Sequence, residues 1–342
     1  MSLINVTKTY HSKEACWDKL EQMRWPNGVC CIKCGVTGED EKGNPRIMKF
    51  TTTATTRERV NKKTGKTRIV PVPARRLYEC KDCGYQFSAT EGTVFHRSHI
   101  SLEKWFMAVA LILEAKKGIS SLQVGRHLGV KEKNTKSTWF LCHRIREAAI
   151  EAGFEFLTGV VEADETYLTP RKPRKGNPRV KRQKEMVVLG VRQRGGDLRL
   201  IPVKDAKMSS LEPELVKHIS PDATLQTDKA LVYDIIGQRR FVNHRMIDHI
   251  RTYVEGENHT NTVENAFSLL KRGVYGTFHK VSIKHLGRYC NEFSYRFNRR
   301  GIQEQMFDET LKRLVNGKPL PFKALIASDE TSEPLNPSDQ KF

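Results

Sequence analysis

Two copies of one short unit, Cys31-Ile-Lys-Cys34-Gly35 and Cys80-Lys-Asp-Cys83-Gly84, constrain the fold of this chain more than any other feature. Each spacing can place two thiolates and nearby backbone N–H groups around half a tetrahedron, so the two units together make a single four-cysteine zinc site. Between them, residues 46–56 and 66–72 are β-prone runs separated by Asn61-Lys-Lys-Thr-Gly65, which reads as a hairpin. The expectation for residues 1–95 is a zinc ribbon with an enlarged hairpin. Cys30 precedes Cys31, but as a ligand it would break the match with the second pair. Cys16, Cys142 and Cys290 stand alone and are expected as small buried apolar side chains.

Charge says what such a chain meets. It carries 59 Lys and Arg against 39 Asp and Glu, a net charge of +20, so its field favours polyanions, nucleic acid first among them. With 342 residues that are 38% hydrophobic it can build two or three ordinary cores, which excludes a disordered or fibrous protein over most of its length. No stretch approaches the roughly 18 apolar residues of a membrane span, and the first residues lack a secretory pattern. We therefore expect a soluble protein of a reducing compartment, cytoplasmic and nucleoid-associated.

The segment 96–153 reads as helical. Apolar positions fit a helix over 102–113, Ser120 or Ser121 caps a second helix to Leu128, and Gly129 turns the chain toward a third capped by Asn134 or Thr135. Thr138, Cys142, Ile145 and Ala149 share one face of that third helix. The spacing is that of a helix-turn-helix, with Lys136, His143, Arg144 and Arg146 on the outward face as DNA contacts; a plain helical linker bundle is the other reading.

From residue 159 the pattern changes to strands: 159–164, 186–192 and 198–203, the last two joined by a turn at Arg194-Gly-Gly-Asp197. A helix over 208–219, a short strand over 223–227, a helix from Leu231 and a final helix over 261–273 follow. That order gives an RNase H-like α/β core for residues 154–305. Within it, residues 169–184 hold eight Lys or Arg, no acid and three prolines, a loop in which Arg171, Lys172, Arg174 and Lys175 are candidates for phosphate contacts. Residues 306–342 read as an extension, with 328–342 a disordered tail.

Three carboxylates then draw together. Asp164 and Asp228 each end an apolar strand, and Glu264 lies on an amphipathic helix whose Val263, Phe267, Leu270 and Val274 face the core; Lys271 follows Glu264 two turns on. Between Asp228 and Glu264 lie 35 residues. His259 and His279 flank this helix and read more simply as surface or satisfied core histidines. Tyr289, Phe293, Tyr295 and Phe297 read as core, and the interleaved Arg288, Arg296, Arg299 and Arg300 as nucleic-acid backbone contacts.

Over residues 17–300 the chain resembles the bacterial insertion-sequence DDE transposases of the ISXO type, the fifteen-ninety-five family. The carrying motifs are Arg24-Trp-Pro-Asn-Gly28, Phe87-Ser-Ala-Thr-Glu-Gly-Thr-Val-Phe95, Val161-Glu-Ala-Asp-Glu-Thr-Tyr167, His259-Thr-Asn-Thr-Val-Glu264, Leu270-Lys-Arg-Gly273, and Glu292-Phe-Ser-Tyr-Arg-Phe-Asn-Arg-Arg300. The resemblance implies Asp164, Asp228 and Glu264 as an acidic triad, Lys271 as the basic residue after it and Arg272 as a DNA contact. Related elements carry Asn in place of the third acid, which brings in Asn261; a carboxylate suits a hard Mg²⁺ better.

The implied activity is cleavage at element ends and 3′-OH strand transfer, with Mg²⁺ or Mn²⁺ as two catalytic ions, structural Zn²⁺, DNA ends and target as partners, and a homo-oligomer at synapsis. Two rivals share these features. One is a non-catalytic zinc-ribbon DNA-binding regulator descended from a transposase, and the other is a structure-selective nuclease with the same acids.

Overall fold

The computed structural model describes residues 2–60, 64–131, 134–150, 155–168, 185–247 and 260–327. The basic loop with Arg171, Lys172, Arg174 and Lys175, the expected tail over 328–342, and His259 lie outside them. The chain divides into two compact units, one of residues 7–106 and 311–319, the other of residues 1–6, 107–310 and 320–342.

In the first unit, α2 (Lys13–Arg24) follows α1 (Leu3–Thr9), which begins in the other unit. Five strands come next: β1 (Ile47–Thr51), β2 (Thr55–Val60), β3 (Thr67–Val72), β4 (Arg76–Cys80) and β5 (Gln86–Phe87). β4 pairs with β1 and β5, while β2 and β3 form a separate antiparallel pair projecting between β1 and β4 in sequence. This is the enlarged hairpin, and its burial pattern explains why it is a ribbon: every residue of β2 is exposed. Its small core is Tyr78, Phe87, Cys31 and Cys80, with Trp25 packed edge-on against Tyr78 and Phe87.

The second unit begins within α3 (Leu102–Glu114) and continues through α4 (Ser121–His127) and α5 (Thr135–Ala148). Ser120 caps α4, its Oγ accepting from Gln123 N at 3.2 Å, and Gly129 turns the chain at φ +62°. Next come β6 (Val160–Leu168), β7 (Met186–Gln193), β8 (Leu198–Val203), α6 (Met208–His218), β9 (Thr224–Asp228), α7 (Leu231–Arg240) and β10 (Asn243–Ile247). α8 (Asn261–Gly273), a π-helical turn over Val274–Phe278, α9 (Ile283–Asn298), α10 (Gln303–Asn316) and α11 (Phe322–Ile326) complete the chain.

The five strands form one sheet in the order β10-β9-β6-β7-β8. β7 runs antiparallel to both β6 and β8, whereas β9 lies parallel to both β6 and β10. Each face of the sheet has its own core: α8 and α9 cover Leu168, Val188 and Leu200, while α6 and α7 cover Val161, Ala163, Leu189 and Val191. A strand buried on both faces must alternate between two sets of neighbours. On β6 the even-numbered residues therefore face α8.

Three expectations need correction. The segment 96–153 does not stand apart, because Leu141, Cys142 and Ile145 are buried and α5 packs on α9 in the same unit. Residues 306–327 are largely helical, since Met306, Phe307, Leu311 and Leu314 give α10 an apolar face to bury. β10 was not expected at all.

Candidate functional site

The two Cys-x-x-Cys units converge as their spacing predicts. The Sγ atoms of Cys31, Cys34, Cys80 and Cys83 lie within 4.8 Å of one another. Cys31 and Cys83 approach to 3.7 Å and Cys34 and Cys80 to 3.6 Å. A tetrahedral ion with metal–sulfur bonds of about 2.3 Å has edges of about 3.8 Å, so the set fits such an ion. Each unit is a matched turn: Gly35 N donates to Cys31 O and Gly84 N to Cys80 O, with both glycines at positive φ. Burial raises the Cys31 thiol, but the backbone N–H groups of Cys34 and Lys33 and the neighbouring thiols outweigh it and bring it down to about 7. Cys30 points away, its Sγ 3.4 Å from Gly35 O. The flanking motifs brace the turns: Arg24 donates to Ala89 O at 2.6 Å, and Tyr85 donates to Glu91 at 2.8 Å.

The carboxylates meet at one end of the sheet. In the parallel β6–β9 ladder, Glu162 pairs with Gln226, so the same register carried two residues on brings Asp164 beside Asp228. Burial, then the charges of Glu165, Asp228 and Glu264, push the Asp164 carboxyl up to about 7. Its Oδ1 accepts from Glu165 N at 2.8 Å. Glu165 is raised too, chiefly by burial, and accepts from Tyr233 of α7 at 2.6 Å. Asp228 turns its carboxylate onto Ala230 N at 3.2 Å, capping the turn into α7. Glu264 is exposed on the first turn of α8, held by Thr260 Oγ1 at 3.1 Å. These acids are spaced more widely than the cysteines, which are the only group of three or more potential ligands with closely gathered donor atoms among the described residues. Their donors are all oxygen, the ligand type that hard cations take, and the Asp164 carboxyl is raised by its surroundings.

What sets α8 at this end is a residue that sequence reasoning missed. Glu162, fully buried on β6, accepts from Thr262 N at 3.0 Å, Thr262 Oγ1 at 2.6 Å and Val263 N at 3.2 Å. It caps α8 across the sheet, supplying what an N-cap side chain ordinarily does. Its other oxygen accepts from Arg194 at 3.1 Å, and Arg194 also donates to Gln226 on β9 at 2.8 Å. The available signal was a charged residue at an inward position of an apolar strand.

The other expected site residues divide. Lys271 is half-buried and Arg272 exposed on the last turn of α8, and Asn261 is exposed on its first turn. His279 is exposed at φ +57°, its ring nitrogen 3.1 Å from Tyr275 O. The outward face assigned to α5 is a correction: only Lys136 is exposed. His143, Arg144 and Arg146 are buried, because Arg146 pairs with Glu292 at 2.6 Å and stacks on Tyr289, His143 packs among Trp139, His285 and Tyr289, and Arg144 lies over Phe140. Three of the four late arginines are likewise held internally: Arg288 by Glu147, Arg296 by Glu292 and Arg299 by Glu309.

Comparison with known proteins finds similarity to transposases. Residues 156–298 match the family model of the ISXO2-like transposase domain. An "Uncharacterized protein in transposable element ISH50" from Halobacterium salinarum is 26% identical over 84% of this chain and 92% of its own length. An "Uncharacterized transposase-like protein" from Haemophilus influenzae is 28% identical over 34% of this chain and 92% of its own length. Among solved structures, a pre-cleavage Mos1 transpososome matches at 11% identity with a TM-score of 0.25, over 62% of this chain and 79% of that one, too low to carry an argument. The chain is thus similar to transposase and transposable-element proteins. Over residues 156–298 the similarity is to the ISXO2-like transposase domain. No described helix is long and apolar enough to cross a membrane.

Proposed function

We propose that this chain is a DDE transposase with an RNase H-like catalytic domain, cutting DNA at the ends of its element and joining the freed 3′-OH to target DNA. The observation that supports it most is the half-buried Asp164, whose carboxyl is raised by burial and by the charges of Glu165, Asp228 and Glu264, the last two from other elements of the fold. An Asp held at this cost to its own ionisation, with two further carboxylates close by, is suited to a cation and poorly explained by stability. When bound there, two divalent ions, Mg²⁺ or Mn²⁺, would supply activation of the attacking oxygen and charge stabilisation at the leaving oxygen.

The chain's own residues do the rest. Asp164 and Asp228 are fixed on adjacent strands, and Glu264 is presented by a helix that Glu162 pins at its start. Glu264 serves as the third acid in this reading, since a carboxylate suits a hard divalent ion better than the neutral amide of Asn261 does, and the charge of Glu264 reaches Asp164. Lys271 and Arg272, farther along α8, meet DNA phosphate, as does Lys136 on α5. Zn²⁺ on the four cysteines holds the ribbon, which binds element ends together with α4 and α5. Two ends in one complex call for a homo-oligomer. The protein acts in the cytoplasm, on the nucleoid.

The test is a strand-transfer assay with the element's own ends, Mg²⁺ and a target plasmid, comparing the unaltered chain with Asp228→Asn and Glu264→Gln. Joined products from the first and none from either variant are expected. If DNA is bound but neither cut nor joined by any version under Mg²⁺ or Mn²⁺, a DNA-binding regulator replaces the transposase. Cutting without joining leaves a nuclease.

A further inference from the structure

Beside α8, in the same unit as the carboxylates, lies a groove of about 1300 Å³ whose wall includes Asn261 and Asn265 of α8, Arg192 at the end of β7, Phe297 at the end of α9 and Arg300 just beyond it. Arg192 is the unusual member. It is only 6% exposed, and its Nε has no hydrogen-bond partner. Its guanidinium lies 4.4 Å from the centre of the Phe297 ring, and that of Arg300 lies 4.3 Å from the same ring. Two cations thus share one aromatic side chain without a carboxylate between them. Arg300 is also exposed, the one late arginine for which no ion pair is formed among the described residues.

A fold gains nothing by burying one arginine beside another. Burial and Arg300 together pull the Arg192 guanidinium below its ordinary range, despite the charge of nearby Glu162. The carboxylates of the groove, Glu114 and Glu304, come from α3 and α10, and Glu114 is engaged with Leu3 N at 2.6 Å. Planar guanidinium groups held ready on an aromatic surface are suited to the oxygens of a phosphate. Asn261 and Asn265 flank Glu264 along α8, so a strand held in this groove runs along the helix that carries the third acid.

We propose that this groove is a strand-binding site outside the carboxylate centre, in which Arg192 and Arg300 together hold one backbone phosphate of a DNA strand. The proposal rests on the reading of the chain as a DNA-processing transposase and adds a place for the strand beyond the reacting atoms. Its signature is a trade between stability and binding, since the free protein holds two guanidinium groups on one ring with no ion pair to either among the described residues, and a phosphate would offset that repulsion.

The experiment uses the full chain carrying Asp228→Asn, so that DNA is held and not cut. Arg192→Met and Arg300→Ala are compared with that parent by fluorescence anisotropy on a labelled duplex of the element's end, over a range of salt, and by thermal unfolding without DNA. Each variant is expected to bind roughly tenfold more weakly and to lower the salt slope by about one, the signature of a lost phosphate contact. The unfolding midpoint should be unchanged or higher, and Arg300→Ala, altering an exposed side chain, guards against loss of folding.

If the parent binds the duplex and both variants match it in affinity and slope, the groove proposal is overturned while the transposase reading stands. Inorganic phosphate raising the midpoint of the parent but not of Arg192→Met, with duplex binding equal in both, would assign the site to a free anion and overturn the strand proposal. Failure of the parent itself to bind any DNA overturns the transposase reading, and this proposal with it.

Discussion

Gly190 stands directly across the β6–β7 ladder from Asp164, and its missing side chain is what lets α8 come close to the carboxylates. A Cβ built on Gly190 would lie 2.6 Å from Val263 Cγ2 and 2.7 Å from the Phe267 ring, contacts too short for real atoms. Val263 precedes Glu264, so the depth of α8 on the sheet also sets where the third acid stands. Gly190→Ala is expected to cost about 1–3 kcal/mol as an overpacking change and to reduce strand transfer more than DNA binding. Urea unfolding measures the first, and the two functional assays separate the second. Adding Phe267→Leu, which relieves part of the clash, should recover some of both; no recovery would mean that helix depth is not what Gly190 sets.

Glu162 fixes the same helix along its axis. Glu162→Gln keeps the shape but gives up the charge that Arg194 and three donors of α8 share, and roughly 1–3 kcal/mol is the expected cost. Hydrogen exchange should show the amides of Thr262 and Val263 opening first. Retention of their protection alongside full strand transfer would leave Glu162 as one buried acid among many. Asp164 is untouched by the substitution, so a fall in turnover at unchanged DNA affinity separates positioning from binding.

The cysteine assignment turns on two adjacent residues. Cys31 Sγ belongs to the gathered four, and Cys30 Sγ turns toward Gly35 O. Purified Cys30→Ser should hold as much zinc as the unaltered chain, by elemental analysis, whereas Cys31→Ser and Cys83→Ser should lose it and lose the fold of the ribbon. Without the ion, four thiols at van der Waals separation and a core of Tyr78, Phe87 and their neighbours are too little to hold the ribbon strands β1, β4 and β5. Equal loss of zinc from Cys30→Ser and Cys31→Ser would place the ligand one residue earlier.

Much of this was legible in the sequence, and the misses share a cause. The two Cys-x-x-Cys-Gly units and the bounds of α8 were readable because their signals are local, a fixed spacing in one case and an apolar stripe ended by Gly273 in the other. β10 escaped because Asn-His-Arg-Met-Ile is an edge strand in which only Ile247 is buried. Arg146 and His143 were placed outside because charge on a helix ordinarily faces water. Their partners, Glu292 and His285, come from α9, more than a hundred residues away, and no periodicity within α5 announces them. Glu162 was hidden by the motif around it, where a neighbouring Asp164 drew the functional reading and left the cap unseen.

Asp164 gives the clearest dependence on pH. Its carboxyl holds a proton to about 7 in the folded chain, whereas an unfolded Asp releases it near 3.8. Between those values the folded state binds more protons than the unfolded one, so this group's contribution to stability falls as pH rises through that window. Without divalent ions the protein should therefore unfold at a lower temperature at pH 7.5 than at pH 5.5, and Asp164→Asn should remove much of the difference. A divalent cation reverses the balance, because it favours the ionised acid. Mg²⁺ or Mn²⁺ should raise the midpoint of the unaltered chain more at pH 7.5 than at pH 5.5, and should do little for Asp164→Asn at either. Calorimetry in the two buffers reads both effects, and an equal metal response from the variant would remove Asp164 from the cation site.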